Sequence, residues 1–412
     1  MIVMSKFIKY LNDNDVKCTG IFHDHSCKQN ALLNTYKFLF SNMKYFAPIM
    51  GLPLIMHIRS LNRKVLQSTL IYYAEAVLAG TAIGLSIQVI ICISRHLFGK
   101  YTYLSFILLP TFIGSFAKYL VPSPRVHRLF ATTIFQCTLE SLIMLENTAL
   151  TKLIANSPLL RTFIFMCCSV LILNAKRRKA YKGFWLMEPT PYNATTVKQT
   201  GENDDNGSCN HKNKSCKQYA LQGIRNFMLT GLGLDTIKML MSNVPPNVNG
   251  FMAKFYVKLK AFKLRSFALL TSYVAIYRLL HCYFNRNFGG DSPLKHSVAA
   301  FLSGSGFIFF PKLTLLCYGM VVGLQISWQQ VTAYLTEERF GDSYEWVKRF
   351  PCRVILYPMA LAYLVNTYAI HKNYVSKLSA MVINGITNNY VRSTHMSIER
   401  IEKILARNSP AL

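Results

Sequence analysis

Long apolar stretches alternate with short polar or basic breaks along most of the chain. A helix needs about 20 mostly apolar residues to cross a hydrocarbon core of about 30 Å. Stretches of that kind cover residues 38–58, 65–94, 101–121, 126–147, 158–175, 220–241, 262–284, 294–311, 313–335 and 354–370. The pattern predicts an all-α, polytopic transmembrane helical protein.

The breaks divide the chain into five predicted segments. The basic run Lys176-Arg-Arg-Lys179 ends the first apolar half, and a polar region rich in Asn, Lys, Asp and Thr follows it. Ile398, Ile401 and Leu405 have helical spacing and predict a short surface helix near the end of the chain. The segments are a Cys/His-containing N-terminal segment (1–37), a first transmembrane half (38–175), a polar linker with a second Cys/His stretch (176–217), a second transmembrane half (218–371) and a basic C-terminal tail (372–412).

The two apolar halves resemble each other. Cys92 followed by Phe98 recurs as Cys282 followed by Phe288, with the same spacing inside each pair. A Cys/His stretch precedes each half at nearly the same offset along the chain, and the strongest apolar stretches of the two halves overlay. We therefore expect two related halves from an internal duplication. Duplicated halves are common in membrane transporters but equally suit a scaffold without a conduction path.

Composition supports a membrane protein and excludes two other classes. Lys and Arg number 46 against 18 Asp and Glu, a net charge of +28, yet 51% of residues are hydrophobic and only 16% are charged. A basic nucleic-acid-binding protein would carry far more charge, and a disordered chain would be short of apolar and aromatic residues. We expect membrane lipids, and no nucleic acid, among the partners, with basic loops facing anionic lipid.

Two clusters of cysteine and histidine could bind a metal ion. Thiolates and imidazoles bind zinc well, and a structural zinc site normally has four such ligands. Neither cluster has a tight C-x-x-C knuckle, so exposed cysteines beside incidental histidines, or a local disulfide, stay open as alternatives. His25 lies within the first cluster, and cysteines in the apolar stretches, Cys92 among them, are interpreted as small hydrophobic residues. The candidate ligands are Cys18, His23 and Cys27 in the first cluster and Cys209, His211 and Cys216 in the second.

Ionisable residues inside the apolar stretches are a second group of candidates. Each costs about 2.5–3.5 kcal/mol at mid-membrane, so it should face protein or water. Such residues either line a polar path for an ion, lipid headgroup or metabolite, or hold helices together. The candidates are Glu75, Glu140, Asp235 and Lys238.

Pairs of glycines predict places where helices approach closely. Gly80 and Gly84, and Gly319 and Gly323, are each four residues apart in an apolar helix and form small-xxx-small faces. Such faces pack within one chain or, less often, form the seam of a homo-oligomer. No G-x-S-x-G, Walker loop, H-E-x-x-H or paired-acid motif occurs, so we expect a protein that is not an enzyme.

Several short motifs resemble the transmembrane protein 135 (peroxisomal membrane protein 52) family. They occur in order from about Cys18 to Leu335, although the family's His-Pro-Ser-Cys run reads His25-Ser-Cys27 here. In the first half they are the N-terminal Cys/His stretch, Lys44-Tyr-Phe-Ala-Pro48 and Arg95-His-Leu-Phe-Gly-Lys-Tyr101. In the second half they are Cys209-Asn-His211, Cys216, Tyr219, Gly223, Tyr273-Val-Ala-Ile-Tyr-Arg278 and Ala300-Phe-Leu-Ser-Gly304.

The resemblance implies a location and a process but transfers no catalytic residue. It implies spans distantly similar to mitochondrial inner-membrane import translocase subunits and to peroxisomal membrane protein 4. It also implies a multi-pass protein of mitochondrial and peroxisomal membranes that regulates organelle dynamics (fission) and lipid metabolism or fat storage, with dynamics proteins as partners. Two alternatives stay open: a transporter or conduit for lipid, sterol or a small metabolite, and a translocase-like pore subunit that assembles as an oligomer.

Overall fold

The computed structural model describes residues 7, 9–11, 14, 16–56, 62–189, 215–240, 250–260, 262–288, 292–334 and 352–407. Every regular element within these ranges is helical, which confirms the all-α class. The chain divides into two compact units. The first unit combines Met1–Thr151 with Glu345–Leu412, and the second is Lys152–Tyr344.

The first unit is built around one long helix, α3 (Arg63–Phe98). Helix α2 (Cys27–Met56) packs along it, and the carboxyl-terminal helices of the chain contact the helices that precede residue 145. The helices of this unit are α1 (Cys18–Ile21), α2 (Cys27–Met56), α3 (Arg63–Phe98), α4 (Leu109–Gly114), α5 (Pro124–Met144) and α6 (Ala149–Asn156), then α13 (Cys352–Ile370), α14 (Lys377–Thr387) and α15 (Tyr390–Arg407). The boundary of the two units falls inside α6.

The second unit has a similar series of elements. Its most extensive contact joins α8 (Cys216–Leu240) to α10 (Arg265–Asn287), as α2 joins α3 in the first unit. The helices of this unit are α7 (Pro158–Arg177), α8 (Cys216–Leu240), α9 (Phe251–Lys260), α10 (Arg265–Asn287), α11 (Pro293–Ser303) and α12 (Leu313–Tyr334).

Serine followed by proline begins three of these helices, α5, α7 and α11. Proline at the first helical position lacks the N–H that would have no acceptor there, and a serine before it can cap the first turn. The Ser157 hydroxyl accepts the N–H of Leu160 at 3.2 Å at the start of α7. At the other end of a helix, Gly99 ends α3 with a left-handed φ of 68° that suits glycine.

The apolar stretch 101–121 forms one irregular element instead of a single regular helix. It contains a π-helical turn (Leu104–Leu108), α4 and a 3-10 helix (Ser115–Leu120). The second unit has the matching order of α11 and a 3-10 helix (Gly304–Phe309). A Cβ at Gly114 would lie 2.7 Å from the backbone nitrogen of Ile87, so glycine permits the close approach to α3.

The two units do not coincide with the two contiguous halves of the sequence. Helix α7 follows α6 in the first half of the chain but packs against α11 and α12 in the second unit. Helix α13 ends the second half but packs against α4 and α5 in the first unit. Each unit therefore takes one helix from the other half, which the hydrophobic pattern cannot indicate because it specifies no packing partner.

The start of the predicted polar linker belongs to the folded core of the second unit. Trp185 is 4% exposed, stacks on Phe165 with ring centroids 5.5 Å apart, and donates its indole N–H to the Tyr273 hydroxyl at 2.8 Å. Residues 190–214 of the linker lie outside the described ranges. The predicted start of the solvated linker at residue 176 is therefore too early, because residues up to Trp185 pack in the second unit.

Three helical stretches are long and apolar enough to cross a membrane within the described ranges: Arg63–Phe98, Pro158–Arg177 and Phe255–Asn287. The number rises to four if α5 and α6, bent by 96° relative to each other, form one broken span. Shorter apolar helices cover Leu104–Leu120 and Val354–Ile370. Large apolar side chains on the outside of α3 agree with a lipid-facing surface; they are Leu66, Leu70, Leu78, Ile93 and Leu97.

Candidate metal centre

Three helices of the first unit bring four metal-binding side chains together. Cys18 is the first residue of α1, and Cys27 is the first residue of α2. His23 lies in the turn between these helices, and Cys92 lies on α3 six residues before its end. The three sulfur atoms and a ring nitrogen of His23 all lie within 4.8 Å of one another.

The spacing of these atoms fits one tetrahedral zinc ion. His23 Nε2 lies 3.5 Å from Cys27 Sγ and 3.5 Å from Cys92 Sγ. With Zn–S bonds of about 2.3 Å and Zn–N bonds of about 2.0–2.1 Å, the N···S edge of a tetrahedron is about 3.6 Å. The two N···S distances therefore match those of a zinc site, and the three sulfur atoms lie within 4.8 Å of one another.

The histidine is oriented for coordination through Nε2. His23 Nδ1 lies 2.6 Å from the backbone carbonyl oxygen of His25. Because a carbonyl oxygen can only accept, Nδ1 carries the hydrogen, and in the neutral ring the lone pair of Nε2 faces the sulfur atoms. A second hydrogen bond of this kind typically fixes the ring of a metal-binding histidine.

The electrostatics of the cluster favour a thiolate at Cys18. Hydrogen bonds to its sulfur from the Cys92 thiol, the Tyr101 hydroxyl and the Cys27 thiol, together with nearby His23, lower the pKa of Cys18 to about 5 against the opposing effect of burial. Burial is the main cause that raises the pKa of Cys27. A divalent cation would replace the remaining thiol protons and make all three sulfurs thiolates.

Aromatic side chains cover one side of the cluster. The Tyr101 hydroxyl lies 3.1 Å from Cys18 Sγ, and its ring packs edge-on against Phe22 and Phe106 with centroids 5.6 and 5.5 Å apart. Tyr390 of α15 stacks beyond Phe22 at 6.2 Å. Cys27, in contrast, is exposed, so the centre is buried on one side and open to solvent on the other.

Four protein ligands would leave no open position for a substrate on a four-coordinate ion. Catalytic zinc sites in proteins usually keep one position for water or substrate, whereas structural sites are closed by Cys and His. The geometry thus fits a structural centre that ties the segment before α2 to the end of α3.

Three of the four clustered side chains are predicted as ligands from the sequence, and the fourth is not. His25 contributes its backbone carbonyl to the orientation of His23 and is not in the cluster. Cys92, interpreted from its apolar surroundings as a small hydrophobic residue, takes that place. Of the second set, Cys209 and His211 lie outside the described residues, and Cys216 begins α8 in the second unit.

The predicted intramembrane charges Asp235 and Lys238 lie in a packed helix contact. Asp235 is 3% exposed, and its carboxylate accepts the N–H groups of Ser266 and Phe267 at 3.2 and 2.9 Å. These N–H groups belong to the first turn of α10, where no intrahelical acceptor exists, so Asp235 of α8 caps that helix. Lys238 lies 3.5 Å from Asp235 and donates to the Ser266 hydroxyl.

Glu140 and Glu75 have different surroundings. Glu140 is 3% exposed and accepts the hydroxyl of Ser376 at 2.9 Å, which joins α5 to the start of α14. Glu75 is partly exposed and lies in a shallow surface groove of about 390 Å³ beside Lys64 and Arg125. Glu140 therefore serves helix packing, and Glu75 is the candidate that faces solvent or lipid.

Both predicted glycine faces are used in packing within one unit. A Cβ at Gly80 would collide with the Asn42 side chain of α2, and a Cβ at Gly84 would lie 3.0 Å from the carbonyl oxygen of Ile386. A Cβ at Gly319 would lie 3.2 Å from the Trp185 ring, and one at Gly323 3.6 Å from Leu171 of α7. Neither face is open for a seam between copies of the chain.

Replacing Gly80 with leucine is expected to destabilise the first unit without a specific change of assembly. The larger side chain must displace the buried Asn42, which donates to the carbonyl oxygens of Phe38 and Ile386, so we expect a loss of about 3 kcal/mol. Thermal unfolding in detergent measures it. Gly51→Leu on α2, with nothing within 4 Å, is the control. A stable Gly80→Leu protein that only loses an oligomer would contradict this assignment.

No protein-family model matches the chain, no curated protein matches it, and no solved structure matches it.

Proposed function

We propose that the chain is a non-enzymatic, metal-stabilised scaffold of mitochondrial and peroxisomal membranes, which regulates organelle dynamics and lipid metabolism or fat storage. Its partners in this proposal are membrane lipids and the proteins of organelle division. The family resemblance of the sequence motifs supplies the location and the process, and the apolar helices support residence in a membrane.

The observation that carries the scaffold function is the packing of the intramembrane charges. A conduit needs polar side chains that line a continuous path through the membrane. Asp235 instead caps a neighbouring helix, and Glu140 accepts a hydrogen bond from Ser376, each at 3% exposure. This supports a role in holding helices together and speaks against the transporter alternative.

The closed metal centre supports the same function. A site whose four ligands all come from the protein adds stability without binding a substrate. The two glycine faces pack within their own units, which speaks against their use as the assembly seam of a translocase-like pore subunit.

We further propose that the two units descend from one duplicated half. Helices α2, α3, α4 and α5 are followed, at a nearly constant offset along the chain, by α8, α10, α11 and α12 in a similar order of contacts. Helices α7 and α13 then correspond at a similar offset and are exchanged between the units. Such an exchange would make each half dependent on the other for folding.

The function is tested in cells of the source organism that lack the chain. We expect altered mitochondrial length and altered neutral-lipid stores, both restored by the wild-type chain and by Glu75→Gln. In parallel, purified protein in liposomes should give no saturable flux of fluorescent sterol, fatty acyl or small-ion probes. Normal organelles and lipid stores in the deleted cells would contradict the scaffold function, and flux abolished by Glu75→Gln would favour the conduit.

A further inference from the structure

Helix α9 of the second unit carries an exposed apolar stripe. Four large apolar side chains recur at the spacing of one helix face, and their exposed fractions run from 44% to 77%. These side chains are Met252, Phe255, Tyr256 and Leu259. The helix packs against α8, and Val257, on the side of α9 opposite the stripe, is half-buried. The stripe therefore faces away from the packed part of the second unit.

Basic residues border the stripe and continue beyond the end of α9. Residues 251–265 contain five Lys and Arg and no Asp or Glu. At about 100° per residue, Lys258 falls on one side of the stripe and Lys260 on the other. Lys260, Lys263 and Arg265 are exposed, and none of the three forms an ion pair within the described ranges. The surface thus combines large apolar side chains with positive charge that no nearby carboxylate neutralises.

The contacts of α9 place it at one end of the pair formed by α8 and α10. The carbonyl oxygen of Leu240, at the end of α8, accepts the amine of Lys258. Asp235, also near the end of α8, caps the start of α10. Helix α10 belongs to a stretch that is apolar enough to cross a membrane, and its own 23 residues suffice for a hydrocarbon core of about 30 Å. Helix α9 therefore lies where α10 would reach the membrane surface.

We propose that α9 lies in the interface of a membrane and binds lipids with anionic headgroups, with its apolar stripe inserted between the acyl chains. The inference rests on the membrane residence in the proposed function and adds to it a surface and a class of lipid. Helices with an apolar face and basic borders lie along the membrane plane, and lysine side chains extend from them to the headgroups. A groove on a partner protein could accept the same stripe, but the unneutralised cations and the nearby end of α10 favour an anionic lipid surface.

Hydrogen exchange of the α9 amides, followed by mass spectrometry on the full-length chain in vesicles, tests the lipid contact. Vesicles that mix phosphatidylserine with phosphatidylcholine should slow the exchange of residues 251–260 at least about tenfold relative to phosphatidylcholine alone, because a helix held in the interface opens less often. Each Lys or Arg near an anionic surface favours binding by a factor of about five. The double variant Lys260→Gln, Lys263→Gln should therefore lose most of the difference, and high salt should reduce it.

The matched control removes two exposed cations from the other end of the same helix pair. Lys217 near the start of α8 and Arg286 near the end of α10 lie beyond the contact in which the Tyr219 carbonyl oxygen accepts the guanidinium of Arg278. The double variant Lys217→Gln, Arg286→Gln should exchange residues 251–260 like the wild type.

Two results would contradict the proposal, and they differ in what else they contradict. Equal exchange of the α9 amides in both kinds of vesicle, in a chain that resists an alkaline wash, would overturn the lipid-binding helix and leave membrane residence intact. It is also the result expected of a helix that docks on a partner protein. A chain that the wash removes from both kinds of vesicle would contradict membrane residence, and the interfacial helix with it.

Discussion

Replacing Cys92 with serine is expected to release the metal of the first unit and to free the segment before α2. Cys92 is the only one of the four clustered ligands on α3, and the other three lie within residues 18–27. Without it, the metal no longer links the two parts of the chain. Because the binding energy of a structural zinc ion is folding energy, we expect a larger loss of local stability than the loss of one hydrogen bond would cause.

Limited proteolysis measures this loss directly. Lys17 and Lys28 flank the ligands Cys18 and Cys27, so trypsin cleavage at these two sites reports whether the segment is held in place. Cleavage should accelerate at least about tenfold in Cys92→Ser, corresponding to about 1.4 kcal/mol of local stability or more. Cys137→Ser, a fully buried cysteine of α5 in the same unit, is the control and should cleave like the wild type. Equal cleavage of Cys92→Ser and the wild type would contradict the metal link.

Replacing Asp235 with alanine is expected to destabilise the second unit by about 3 kcal/mol. The carboxylate is the acceptor for two N–H groups at the start of α10, and it is 3% exposed. Alanine leaves the N–H groups of the buried Ser266 and the half-buried Phe267 without that acceptor and removes the negative charge that favours a helix N-terminus. Asp235→Asn keeps one carbonyl acceptor, so it should lose about half as much.

Tryptophan fluorescence during thermal unfolding in detergent follows the second unit in a Trp346→Phe background, because Trp185 and Trp328 both lie in that unit. Thr236→Ala, at the neighbouring position of α8, should change stability by less than about 0.5 kcal/mol. A liposome assay accompanies the unfolding measurement. If Asp235→Asn abolished transport of a probe while stability stayed unchanged, the residue would act in a conduit and the capping role would be insufficient.

The hydrophobic pattern predicts most of the helices but not their partners. Regions of continuous apolar sequence, such as residues 65–94 and 158–175, form α3 and α7 close to the expected bounds. The helical spacing at Ile398 predicts a short surface helix; the helix is present as α15, but Ile398 is 2% exposed and packs in the core of the first unit. The exchange of α7 and α13 between units could not be predicted, because an apolar pattern does not specify a packing partner.

In the candidate metal centre too, residues close together in the sequence could be recognised, whereas the contribution of a distant residue could not. Cys18, His23 and Cys27 lie within ten residues and are visible as a cluster. Cys92 lies far along the chain from Cys27, inside an apolar helix, where nothing local separates a ligand from a packing residue. The internal repeat is one indication that Cys92 differs from a packing residue, because Cys92 and Cys282 are among the few residues that the two halves share. The helix that Asp235 caps begins at Arg265, far along the chain. The local sequence around Asp235 therefore does not indicate the capping role.

X-ray absorption at the zinc edge, recorded on the purified full-length chain, tests the metal centre most directly. The expected ligands are Cys18, His23, Cys27 and Cys92. We predict three sulfur neighbours at about 2.3 Å and one nitrogen neighbour at about 2.0 Å. Zinc bound mainly by oxygen, or a chain that contains no zinc and whose clustered cysteines are oxidised to disulfides, would contradict the structural metal centre.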